Sequence, residues 1–127
     1  MTAMFKSCSK LSSLDLTSFD TGSVTAMGYF YEGKYSNTIR GMFEGCSSLK
    51  VLDLSSFDTS KVKDMGAMFW GCSSLSTIYA SDGFDVSAVT SSGDMFYDCK
   101  SLVGGSGTAY GYSYSDKQRA RIDAPGA

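Results

Sequence analysis

The 127-residue chain contains no histidine. That absence removes the Ser-His-Asp and Cys-His triads, the histidine-containing metalloprotease motif and the usual general base at neutral pH. Positive charge is scarce as well: 11 Lys and Arg stand against 13 Asp and Glu, a formal net charge of −2. The one local basic cluster is Lys117, Arg119 and Arg121, too little to track a phosphate backbone, so nucleic acid is not an expected partner. No window approaches the run of about 18 apolar residues that a membrane helix needs, and no membrane insertion is expected. The opening MTAMFKSCSK shows no basic segment followed by an apolar run, so no secretory leader is readable in it. With 43% apolar and 19% charged residues, the composition is that of a globular domain, and the length predicts one.

What the sequence has in plenty is itself. Met-Phe recurs at Met4-Phe5, Met42-Phe43, Met68-Phe69 and Met95-Phe96, and each time a cysteine follows three residues after the Phe, at Cys8, Cys46, Cys72 and Cys99. Apolar ladders follow the first three cysteines: Leu11, Leu14, Leu16, Phe19 and Val24; Leu49, Leu52, Leu54, Phe57 and Val62; Leu75, Ile78, Ala80, Phe84 and Val89. Cysteines lie 26 residues apart from Cys46 to Cys72 and 27 from Cys72 to Cys99, the period of a stacked repeat. Each unit has two halves. Leu52 and Leu54 alternate around Asp53 as in a short half-buried strand. Val62, Met65, Met68 and Phe69 stand at i, i+3, i+6 and i+7, which predicts one face of a helical turn, with Asp58, Thr59 and Ser60 as caps and Gly71 as its stop.

Residues 42–75, MFEGCSSLKVLDLSSFDTSKVKDMGAMFWGCSSL, resemble the repeat consensus of the BspA-like leucine-rich-repeat surface proteins, a bacterial family related to the Treponema-type leucine-rich repeats. The likeness runs from about Met4 to Leu102, and residues 101–123 are similar to the segment that often follows the last repeat. The resemblance implies an α/β repeat fold: a short right-handed leucine-rich-repeat solenoid with one strand and one helical turn per coil of about 26 residues. It would span residues 1–102, with three full coils and a partial one, and a Gly/Ser/Tyr-rich cap or tail would occupy 103–127. Gly28 to Arg40 interrupts the register, because Met27 and Met42 are 15 residues apart where Met65 and Met68 are 3 apart. This segment reads as an insertion of half a coil, or as a stunted repeat with Phe30 in the Phe position. The family is cell-surface or secreted, lacks catalytic residues and is associated with adhesion to host and bacterial proteins. The implied function is non-catalytic protein binding, without cofactor or metal; a free-standing cytoplasmic interaction or inhibitor protein on the same scaffold is the alternative.

The cysteine spacings of 38, 26 and 27 fit no zinc motif. A column of small buried side chains at the coil corner explains them, while bridging between neighbours remains geometrically conceivable. Six of the seven methionines fall in the ladder, at Met4, Met27, Met42, Met65, Met68 and Met95, and are expected in the core. Asp15, Asp53 and Tyr79 take the outward strand position, on the face repeat proteins use for binding. Asp20, Asp58 and Asp85 form a second column that turn formation explains better than calcium. Aromatic residues are the stronger candidates for a binding surface. Tyr29, Phe30, Tyr31 and Tyr35 crowd the insertion, and Tyr110, Tyr112 and Tyr114 alternate in the tail; tyrosine supplies rigid contact area with a polar tip. The competing explanation is that these rings cover the ends of a short stack. The first unit has no partner on its outer side, which predicts possible homo-oligomerisation through that end.

Overall fold

A computed structural model describes residues 1–34 and 37–103. Its elements are six short strands: β1 (Ala26–Gly28), β2 (Phe30–Glu32), β3 (Asn37–Ile39), β4 (Val51–Leu54), β5 (Asp64–Met65) and β6 (Thr77–Ala80). They pair in three separate two-stranded sheets, β1 with β5 and β4 with β6 in parallel, β2 with β3 antiparallel. No helix is present among the described residues. The expected leucine-rich-repeat solenoid, with a helical turn in every coil, is therefore not what the chain forms.

The reason lies in the backbone of the Met-Phe corner. Ser7, Gly45, Gly71 and Asp98, each two residues past the Phe, have φ of 61°, 75°, 74° and 64°; Ala3, Ala67 and Asp94, each just before the Met, have 58°, 54° and 52°. Two left-handed residues four apart cannot belong to one right-handed helix. The amides confirm it. Cys46, Cys72 and Cys99 each donate back three residues to the Phe carbonyl, at 3.1 Å, while Phe43 and Gly45 donate forward to Met68 and Trp70 of the next unit, at 2.9 and 2.7 Å. Chained turns laced to the neighbouring unit replace the helix. The apolar spacing is satisfied all the same, because Val62, Met65, Met68 and Phe69 are all buried.

The strand half follows the alternation. In β4, Leu52 and Leu54 point inward while Val51 and Asp53 face solvent, and β6 lies beside it in the register Leu52 to Ile78 and Asp53 to Tyr79. The equivalent stretch of the first unit, Leu11 to Leu16, forms no strand.

Side chains continue the ties between units. Phe5, Phe43, Phe69 and Phe96 stack face to face, with ring centroids 5.6, 5.7 and 5.3 Å apart and planes within 7°. Beside them the thiols of Cys46, Cys72 and Cys99 donate to the carbonyls of Phe5, Phe43 and Phe69 at 3.2, 3.1 and 3.0 Å. All four cysteines are free, and these three are buried. Cys8 departs from the expected buried column: it heads the row, has no earlier Phe carbonyl beside it and is exposed. Met4 departs likewise, at 49% exposure, while Met27, Met42, Met65, Met68 and Met95 are fully buried. Thr21 and Thr59 are buried as well; the Thr59 hydroxyl accepts the Asp85 N–H at 2.7 Å and donates to the Asp85 carbonyl at 2.8 Å, and Thr21 does the same to Asp58. Among the described residues no buried side-chain polar atom lacks a hydrogen-bond partner, as a turn-built core requires.

Candidate binding surface

The segment Gly28 to Arg40, where the register breaks, carries the antiparallel β2–β3 hairpin. Met42 N–H donates to the Met27 carbonyl at 3.0 Å, so the repeat closes across the base of the hairpin and continues. Rings and β-branched residues suit the paired strands β2 and β3. Their register sets Phe30 opposite Ile39 and Tyr31 opposite Thr38, and the Arg40 N–H donates to the Tyr29 carbonyl at 2.9 Å. Directly paired residues share a face, and successive residues alternate between faces. Phe30 and Ile39 therefore occupy one face, and Tyr29, Tyr31, Thr38 and Arg40 the other.

The Phe30 face is the anchor. Phe30 stacks on Trp70 with centroids 5.9 Å apart, and Trp70 stacks on Tyr97 at 4.2 Å. Glycines make the room: a Cβ on Gly93 would come within 2.9 Å of the Phe30 ring, and one on Gly66 within 2.7 Å of the Phe30 nitrogen. A further tie comes from Lys6, whose ammonium donates to the Ile39 carbonyl at 2.8 Å and pairs with Glu44 at 3.4 Å. Of the expected binding residues, Phe30 is thus turned inward to hold the hairpin, while Tyr29 and Tyr31 are 41% and 57% exposed.

On the outer face Tyr29, Thr38 and Arg40, together with Thr2, line a shallow recess of about 450 Å³. Thr2, Thr38 and Arg40 were not foreseen from the sequence. Neither were Trp70 and Tyr97, although a signal existed: both directly follow the Phe of the corner, in consecutive units, where Lys6 and Glu44 stand in the earlier ones.

The outward strand positions form a second surface. Asp53 lies beside Tyr79 and Val51 beside Thr77, with Val51 and Tyr79 each 49% exposed. Asp15 is exposed in the irregular stretch of the first unit. Its Oδ1 accepts the Thr17 N–H at 3.0 Å and hydroxyl at 2.7 Å, and Asp53 Oδ1 accepts the Ser55 N–H at 2.9 Å. Hydrogen bonds from Thr17 and from Ser55, side chain first and backbone second, hold these two carboxyls below the ordinary value of 3.8. Both are ionised at neutral pH and serve as acceptors. The second aspartate column is built the same way, Asp20, Asp58 and Asp85 accepting the N–H groups of Gly22, Ser60 and Ser87 at 3.1, 3.0 and 2.8 Å. Among the described residues no three Cys, Asp or Glu side chains converge as metal ligands would. Tyr35, Tyr110, Tyr112 and Tyr114 lie outside the described residues.

Compared with known families, residues 35–108 match the one described as "Mycoplasma protein of unknown function, DUF285". The match takes in the Met-Phe corners at Met42, Met68 and Met95 and covers more than half of the 127 residues, and the chain belongs to that family. No curated protein and no solved structure matches it.

Proposed function

We propose that this DUF285 member is a non-catalytic protein-binding module of a bacterial cell-surface or secreted protein, and that the outer face of the β2–β3 hairpin is its recognition surface. The observation that carries the reading is the division of labour in the hairpin. Phe30 is spent on Trp70, which fixes the hairpin on the core, and this leaves Tyr29 and Tyr31 in solvent beside Arg40. Exposed tyrosines and an arginine on a rigid support are the side chains that dominate recognition energetics, because they offer large contact area while losing little rotamer freedom. The surface location rests on the likeness of the corner motif to BspA-like repeats and on the family match.

The test is capture from an extracellular-matrix extract and from a bacterial lysate, with wild type set against the Tyr29→Ala/Tyr31→Ala double variant. We expect a matrix protein to be retained by wild type and at least tenfold less by the variant, with Trp70 emission unchanged to show that the hairpin is still docked. Equal capture by both chains would demote the tyrosines to surface cover. Tyrosine-dependent capture of a cytosolic protein alone would overturn the surface assignment.

A further inference from the structure

The recess on the outer hairpin face has a one-sided chemistry. Thr2, Tyr29 and Thr38 bring hydroxyls and Arg40 a guanidinium, and among the described residues no carboxylate lines it. Among the described residues Arg40 has no ion-pair partner. The neighbouring acid, Glu44, is engaged elsewhere: it pairs with Lys6 at 3.4 Å and accepts the Gly41 N–H at 3.4 Å. The guanidinium fork matches a carboxylate through two parallel hydrogen bonds. The three hydroxyls can donate to the remaining lone pairs, and the Tyr29 ring gives a flat contact for the methylenes behind the acid. A single cation suits a monoanion better than a phosphate dianion.

We propose that this recess receives the carboxylate of an aspartate or glutamate side chain on an acidic segment of a protein partner, gripped by Arg40. This rests on the reading of the hairpin as a protein-binding surface and names the chemistry it selects.

The experiment titrates octaglutamate into the full-length ¹⁵N-labelled chain, with octaserine and inorganic phosphate as parallel arms. We expect octaglutamate, and not octaserine, to shift the Tyr29, Thr38 and Arg40 amides and the Arg40 Nε saturably, and the affinity to fall as salt rises. Arg40→Gln should bind at least tenfold more weakly, Arg40→Lys in between, and Lys61→Gln, which keeps the recess intact, like wild type. Absence of shifts at these residues, an undiminished response in Arg40→Gln, or a response to phosphate alone would overturn the proposal. The two readings fail separately. Capture of a partner that needs Tyr29 and Tyr31 yet survives Arg40→Gln refutes the carboxylate grip and leaves the binding surface standing. Octaglutamate binding that needs Arg40, with capture indifferent to both tyrosines, does the reverse.

Discussion

Cys8 and Cys72 occupy the same position of the repeat in opposite surroundings. Burial pushes the Cys46 thiol up to about 11 and Cys99 to about 12, and raises Cys72 further, while Cys8 lies in solvent. Alkylation proceeds through the thiolate, so burial slows Cys46, Cys72 and Cys99 both by keeping them protonated and by closing access to them. A short iodoacetamide pulse on the folded protein should modify one thiol of four, Cys8, and reach the others after urea is added, as read by intact mass and peptide mapping. Rapid modification of two or more in the folded state would mean that the corner opens. The aspartates titrate at the other end of the scale. Hydrogen bonds within their turns lower the carboxyls of Asp15, Asp53, Asp58 and Asp85, whereas burial raises Asp64. A group whose folded pKa is depressed adds stability above its unfolded value and loses it as pH falls through the folded one; a raised group acts in the opposite sense. Four lowered carboxyls against one raised predict a falling Tm between about pH 5 and pH 2. Asp64→Asn removes the offset and should steepen that fall; a flat profile would show that the turns do not hold these groups in solution.

The left-handed corner is the element that sets this fold apart from a helical repeat. Gly45 and Gly71 hold φ near +75° without strain, but Ser7 holds +61° with a side chain, which costs about 1–2 kcal/mol for an L-residue. Introducing glycine at this position in one unit and removing it in another should therefore act with opposite signs. Ser7→Gly should raise stability by up to about 1 kcal/mol, after the entropy of the added glycine is discounted, and Gly45→Ala should lower it by about 1–2 kcal/mol. Urea denaturation of the two variants checks this, and two changes of one sign would contradict the turn assignment. The corner also explains what could be read beforehand and what could not. Leu52 and Leu54 announced β4 correctly because period 2 has few competing explanations. Val62, Met65, Met68 and Phe69 announced burial correctly and secondary structure wrongly, since hydrophobic spacing reports which side chains face the core and is blind to where the amides donate. Gly71 was read as a helix stop, when Gly45 and Gly71 at the same offset in consecutive units already marked a recurring left-handed turn. In the hairpin, four rings crowded together were legible as a candidate surface, but turning Phe30 inward and Tyr29 and Tyr31 outward required the pairing register, which depends on Gly66 and Gly93 leaving space from distant parts of the chain.

Across the whole molecule, order depends on two aromatic stacks of unequal reach. The Phe5–Phe43–Phe69–Phe96 column passes through every unit of the described chain and lies against a continuous core from Leu16 to Cys99. The Phe30–Trp70–Tyr97 stack joins only the hairpin to its neighbours. Loss of an inner member of the first should be felt everywhere. Phe69→Ala removes a ring stacked on both sides and opens a cavity, about 3–5 kcal/mol for such a truncation, a large part of the roughly 5–15 kcal/mol that holds a domain together. Phe30→Ala should instead free the hairpin and leave most of the fold in place. Trp70 is the only tryptophan in the chain and lies between these two events, so its emission separates them. In wild type and in Phe69→Ala, the Trp70 transition and the far-UV circular dichroism transition should coincide in urea, both moved to lower concentration in the variant. In Phe30→Ala, Trp70 emission should already be red-shifted without urea, with the circular dichroism midpoint displaced far less than in Phe69→Ala. Separate transitions in wild type would show that the units unfold one by one, and an unshifted Trp70 in Phe30→Ala would remove the anchor on which the recognition surface depends.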